Sequence, residues 1–308
     1  MSASRGKHHD RPAFLARRRR RERWAESALG AAASVVVLIA LGILLTLLSE
    51  SLPFFRVVGL WDFLFDTEWT PLFERAHFGI LPLLSATLLT GLLAMLVAVP
   101  LGVLTAVWLS EFASMRTREW AKPALELLSS IPTVVFGYFA LLFVTPLLQQ
   151  LIPGLPTFNL LAPSLVIGLM IVPYVSSLSE DALRAVPMDL REAAFSMGAG
   201  RWRAALWVVL PAAASGVTAS AVLALSRALG ETMVVAIAAG QQAHLVFDPR
   251  DGAATLTTYI AQVAMGDVPR HSLAYQSLFA VGLSLFLLTL AFNVLGCWIR
   301  HRFGELSR

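Results

Sequence analysis

Three things are scarce in this 308-residue chain: cysteine, lysine and charge. The single cysteine, Cys297, excludes a disulfide framework and a cysteine-rich metal site. The only lysines are Lys7 and Lys122, and neither sits where a phosphate-binding loop needs one, in a Gly-Lys pair with four residues between it and an earlier glycine. The chain therefore has no means of hydrolysing ATP itself. Charged residues make up 14% of the sequence against 57% hydrophobic, a balance that excludes an ordinary soluble domain and marks an integral membrane protein. The net charge of +4 is concentrated: nine Lys/Arg fall in the first 26 residues, including the run Arg17–Arg21. That run reads as a cytoplasmic topology signal or a lipid-headgroup contact, not as a nucleic-acid arm. Catalytic patterns are also missing. His8 and His9 are paired in the tail, and His77, His244 and His271 lie in or near connecting loops without ligand spacing. No serine sits in an elbow motif with triad partners, so the expectation is a chain that is not an enzyme and holds no metal or cofactor of its own.

What the sequence does have is long apolar runs. A helix needs about 20 apolar residues to cross a ~30 Å hydrocarbon core. Six stretches qualify, at about 28–48, 80–109, 125–148, 162–183, 212–239 and 274–299. The expected architecture is an all-α integral membrane protein with six spans. Residues 1–26 are a basic tail expected to be disordered and cytoplasmic, and 27–308 form the transmembrane domain. The first run has a basic flank like a signal peptide, but it is too long and lacks a small-residue cleavage site, so it is expected to be retained. Residues 49–78, with Trp61 and Trp69, read as a loop with interfacial aromatics, and prolines 132, 146, 163 and 173 should kink or end helices. With the N-terminus inside, nineteen Lys/Arg fall on cytoplasmic segments, only Arg56, Arg75, Arg250 and Arg270 fall outside, and Arg227 lies within a span. The bias predicts that both termini are cytoplasmic.

Between the fourth and fifth runs lies a polar island, Glu192–Pro211, EAAFSMGAGRWRAALWVVLP. Asp189 is placed to cap a helix, with Glu192 three residues on. Gly198 and Gly200 should break that helix, a second amphipathic run over 201–209 follows, and Pro211 marks entry into the next span. Glu192-Ala193-Ala194, then Gly198, Val208 and Leu210-Pro211 resemble the EAA loop of bacterial ABC-importer permeases, with Val208 where isoleucine is usual. The resemblance implies the type I importer permease fold, with a cytoplasmic coupling helix in a loop over about 187–211 that docks on a separate ATPase subunit. Glu192, Ala193, Ala194, Gly198, Leu210 and Pro211 are its coupling residues.

The fifth run carries Arg227 and Glu231 in SRALGETMVV, four residues apart and so on one helix face, with Gly216, Ser220 and Ala224 continuing the stripe. Charges at membrane depth are costly and turn toward a bundle interior or a polar pathway, and the small residues permit close helix packing. One reading is that the two charges neutralise each other in a packed bundle. The other is that Arg227 contacts an anion in transit, held in place by Glu231, with Ser220 on the same pathway. A guanidinium suits phosphate because its donors form a planar fork and it stays charged. RALGETM together with the EAA-like loop resembles the PstC-type permease subunit of phosphate ABC importers. That resemblance implies a bacterial inner-membrane protein working with a second related permease, two ATPase subunits that bind the ATP and Mg, and an external phosphate-binding protein. A permease for sulfate or molybdate is the nearest alternative. A secondary anion transporter is a further one, although no internal repeat accompanies it.

Overall fold

A computed structural model describes residues 11–304 apart from His271. The expectations for His8, His9 and His271, for residues 1–10 of the tail and for residues 305–308 lie outside the described residues. The chain divides into two compact units, 1–50 and 51–308.

The first unit holds most of α1 (Arg11–Val57). Within the tail expected to be disordered over 1–26, residues 11–26 are helical. Arginine, glutamate and alanine are strong helix formers, and a helix already nucleated in the apolar run extends at little cost. Along its apolar part Val36, Leu38, Ile43 and Leu45 are all exposed, a surface that suits lipid and not water.

The second unit holds the end of α1 and the remaining helices. The stretch expected to be a loop over 49–78 is more ordered than that. α1 runs on to Val57, α2 (Leu60–Phe65) follows, and Trp69 and Phe78 form an antiparallel bridge. Phe54, Phe63, Trp69 and Phe78 are buried in one edge-to-face cluster with Tyr259. Aromatic burial of this density is enough to order a connecting segment. Next come α3 (Leu81–Val107), which continues as a wider π-helical turn over Trp108–Phe112, and α4 (Met115–Ser129). α5 (Thr133–Phe139), a second π turn over Ala140–Val144 and α6 (Thr145–Leu151) form one continuous helix. α7 (Leu161–Arg184) is followed by α8 (Met188–Ser196), α9 (Arg201–Ala204), a third π turn over Ala205–Val209 and α10 (Leu210–Ala212). The chain ends with α11 (Ala214–Leu229), α12 (Met233–Ala238), α13 (Leu256–Met265) and α14 (Leu273–Gly304). Two of the π turns end two residues before a proline, Pro146 and Pro211. A missing N–H and a ring against the preceding turn widen the helical ladder there.

Two expected spans are corrected. The third starts at Thr133 and not near 125: Pro132 is extended at φ −56°, ψ 135°, and disfavours helix in the residue before it. Residues 125–129 belong instead to the amphipathic α4. The fifth, expected as one helix over 212–239, is broken twice. At Ala213 the chain turns by 70° between Arg201–Ala212 and Ala214–Leu229, and at Gly230–Thr232 α11 gives way to α12. Among the described residues five helices are long and apolar enough to cross a membrane, and a sixth only if the bent pair counts as one.

The bundle core is formed by α3, α7 and α11, which are held together at glycines. A Cβ at Gly168 would fall 2.8 Å from the Ala94 carbonyl oxygen, one at Gly102 2.6 Å from Val175 Cβ, and one at Gly216 2.4 Å from Ala182 Cβ. The first two pairings make α3 and α7 parallel, and Gly216–Ala182 together with Ser220–Ser179 makes α11 antiparallel to α7. Small residues let helix backbones approach where lipid supplies no hydrophobic drive for association.

Candidate coupling loop and intramembrane charges

The polar island folds as helix, glycine break, helix, as its sequence implies. Pro187, at φ −56° and ψ 143°, sets the chain's entry into α8 without a side-chain hydrogen bond. Asp189, expected to be the cap, lies instead inside the first turn, where its charge still favours the helix N-terminus. Glu192 and Ala193 are exposed and Ala194 is buried. Gly198 has φ +82° with open space around it, so its requirement for glycine is conformational and not steric. Gly200 is extended at φ −72°, ψ 161°, a geometry open to any residue. Leu210 is half-buried and Pro211 exposed just before the 70° turn.

Arginines seat this loop on the bundle. Arg191 donates from Nη1 to the Val186 carbonyl at 2.6 Å and from Nη2 to the Leu183 carbonyl at 2.9 Å and to Glu111 Oε1 at 3.0 Å. Arg201 Nη2 donates to the Glu111 carbonyl at 3.0 Å, and its guanidinium lies 5.9 Å from the Phe112 ring centroid. Trp202 packs on the same ring at 6.0 Å.

The stripe on α11 serves two purposes. Ser220 is buried, its hydroxyl 2.7 Å from Ser179 of α7, and Ala224 is fully buried in the main core. Farther along, Arg227 is exposed in the last turn of α11, with no ion pair or side-chain hydrogen bond among the described residues. Glu231 is not its partner. The helix ends before Glu231, and Glu231 Oε1 accepts from the amides of Thr232 and Met233 at 3.1 Å each and of Val234 at 3.4 Å. It holds the otherwise unpaired N–H groups that open α12, while the Thr257 hydroxyl donates to its carbonyl at 2.9 Å. The expected arrangement of both charges on one continuous helix face is therefore corrected.

A family model described as "Binding-protein-dependent transport system inner membrane component" matches residues 98–304. The chain belongs to that family. The probable ABC transporter permease protein YqgH of Bacillus subtilis is 33% identical over 273 residues, covering 88% of this chain and 86% of that protein. The phosphate transport system permease protein PstC of Mesorhizobium japonicum is 32% identical over 281 residues, with 84% of each covered. PstC of Haemophilus influenzae is 30% identical, covering 86% of this chain and 90% of its own. Among solved structures, a bacterial alginate ABC transporter in complex with an alginate-bound periplasmic protein aligns over 94% of this chain and 96% of its own at TM-score 0.64 and 18% identity. The inward-facing MetNI methionine ABC transporter aligns over 73% of this chain and 94% of its own at TM-score 0.55 and 20% identity. At these identities the structures establish a shared fold. This multi-pass inner-membrane permease thus has the importer-permease architecture that the EAA-like loop implied.

The permease also has polar residues whose roles its sequence did not suggest. Glu180, near the end of α7, is completely buried. Lys122 Nζ lies 2.5 Å from its Oε2, Arg118 Nε 3.4 Å from its Oε1, and Arg184 Nη1 3.8 Å from Oε1. Hydrogen bonding to Glu180 raises the Lys122 ammonium above its ordinary pKa; burial opposes this, and a further bond to Asp181 supports it. Arg118 also donates to the Leu109 and Ser110 carbonyls. Counting basic residues for topology treats Arg118, Lys122 and Arg191 as loop charges. The signal that distinguishes them is the acidic residue at the end of each apolar run they flank, Glu111 and Glu180.

Proposed function

We propose that this permease is the phosphate-translocating membrane subunit of an ATP-driven importer. In this reading it pairs with a second related permease, and the loop over 187–211 docks on one of two ATPase subunits that bind ATP and Mg. An external phosphate-binding protein delivers the anion. Both termini and the loop face the cytoplasm, a placement supported by the nineteen-to-four distribution of Lys/Arg.

The observation that carries the reading is Arg227. An exposed guanidinium near membrane depth, with no ion pair among the described residues, has a cost that a polar pathway or an anion offsets. Glu231, the one acid close in sequence, is engaged by the α12 amides. The planar, permanently charged fork of Arg227 matches a phosphate oxygen pair. The PstC relatives support phosphate over sulfate or molybdate. Passage needs only weak binding here, because the external protein selects the anion.

Reconstitution of the permease pair with ATPase and phosphate-binding protein tests the reading. Arg227→Gln is expected to assemble normally and lose phosphate uptake by roughly tenfold or more, the effect of one charge-assisted contact. Arg227→Lys keeps the charge without the fork and should fall between. Full uptake by Arg227→Gln ends the anion-contact role, and uptake of sulfate in preference to phosphate ends the substrate assignment. Glu192→Lys should lose co-purification with the ATPase; normal co-purification and normal uptake together would end the docking role.

A further inference from the structure

We infer that Glu111 and Arg191 form the joint through which the cytoplasmic loop moves the ends of the two spanning helices from which it hangs. The inference rests on the reading of residues 187–211 as the ATPase-docking loop, and it names the residues that carry motion from that loop into the bundle.

α8 has two faces. Glu192 and Phe195 point outward, and Met197 just past the helix end is 88% exposed. Arg191 and Ala194 point inward, and the Arg191 and Glu111 side chains are only 12% and 14% exposed. A docked ATPase meets the first face and not the second, so docking and transmission fall on different residues. The inward contacts are all to helix ends. Arg191 donates to the Leu183 carbonyl in the last turn of α7, which also accepts from the Val186 amide, and to the Val186 carbonyl two residues past the helix end. The same guanidinium reaches both oxygens of Glu111, at 3.0 Å and 3.4 Å, in the π turn that ends the α3 helix. The second arm of the loop returns to the same place: Arg201 takes the Glu111 carbonyl and Trp202 lies on Phe112. Both arms are therefore fastened to residues 111–112, and the first is fastened to α7 as well. Because α3 and α7 touch through Gly102 and Gly168, a push on α8 is delivered to the pair through these charged contacts. The bidentate fork resists rotation as well as separation, which a single point contact does not. Arg191 and Glu111 are thus positioning residues for transport.

The test uses the assembled importer in proteoliposomes and reads phosphate transported per ATP hydrolysed. Glu111→Gln keeps an acceptor but removes the charge; Arg191→Lys keeps the charge but removes the fork. Each complex should still co-purify with the ATPase and hydrolyse ATP, while the transport ratio falls about tenfold, the equilibrium effect of one charge-assisted hydrogen bond. The ratio is normalised to complex formed, so reduced expression does not move it. Wild-type ratios in both variants overturn the inference. So does a parallel fall of uptake and hydrolysis that leaves the ratio unchanged, the mark of a merely structural role, and so does failure of both variants to form any complex. Failure of the docking reading is seen separately, as Glu192→Lys that still co-purifies and transports normally.

Discussion

Glu231 gives the sharpest prediction, because its observed role differs from the one its spacing suggests. One carboxylate oxygen serves the three amides at the start of α12, a helix that rests on α5 where a Cβ at Gly137 would fall 2.8 Å from Ile237. Glu231→Ala removes that acceptor, and loss of an N-terminal cap costs ~1–2 kcal/mol, or roughly five- to thirtyfold in a local opening equilibrium. Glu231→Gln keeps an oxygen in place and loses only the favourable charge at the helix start, ~0.3–1 kcal/mol, or roughly two- to fivefold. Arg227→Gln touches neither and should leave α12 unchanged. The assay is amide hydrogen exchange of the segment Met233–Ala238 in lipid nanodiscs, read as the ratio of variant to wild-type rates. The rates should rank Ala above Gln above wild type. An ion pair between Arg227 and Glu231 would give a different pattern, since stranding one charge of a buried pair costs ~3–5 kcal/mol. Arg227→Gln would then accelerate exchange at least as much as Glu231→Ala, and that result refutes the capping role.

Three further outcomes follow from the geometry. Gly168→Val places atoms against the Ala94 carbonyl, which cannot move aside as a side chain can, so an overpacking cost of ~1–3 kcal/mol or more is expected; a wild-type yield of monodisperse protein on size exclusion would contradict it. The raised pKa of Lys122 means that its pairing with Glu180 contributes fully below the ordinary ammonium value of about 10.4 and is lost as pH rises through the higher folded value. The difference in thermal stability between wild type and Lys122→Met should thus stay constant to about pH 10 and shrink above it, and a difference that grows with pH would exclude the pairing. After Cys297→Ser, a cysteine placed at the exposed Ser196 should react with an impermeant thiol reagent only in inverted vesicles; labelling in intact cells would reverse the proposed orientation.

Where the sequence could be read, hydrophobic length did the work. The helices over Leu81–Phe112, Leu161–Arg184 and Leu273–Ile299 each match an apolar run closely, because lipid-facing length leaves little freedom. The helix, break and helix over 188–204 were legible through Gly198, whose positive φ explains why a glycine stands there. The misses have two causes. At Gly230 the run stays apolar while the helix stops, because the break is made by the Glu231 carboxylate folding back on following amides, and hydropathy does not register a local hydrogen bond. At residues 125–129 the run is apolar, yet Pro132 separates it from the span and α4 turns Arg118 and Lys122 toward Glu180. Partners so far apart in the chain leave no periodic trace, and the same holds for Arg191 and Glu111.

The glycine contacts between α3, α7 and α11 also set where this molecule can bend. At Gly168 the backbones of α3 and α7 meet directly, and at Gly102 and Gly216 a glycine backbone lies against the Val175 and Ala182 side chains, so the three helices have little room to slide and pack as one slab. Flexure is left to the seams at the slab's margins, at Ala213 and at Gly230–Thr232, where the chain already departs from helix. Arg227 sits at the slab's edge, one turn from the second seam. A hinge opening there carries α12 away from the guanidinium, which keeps its place on the slab.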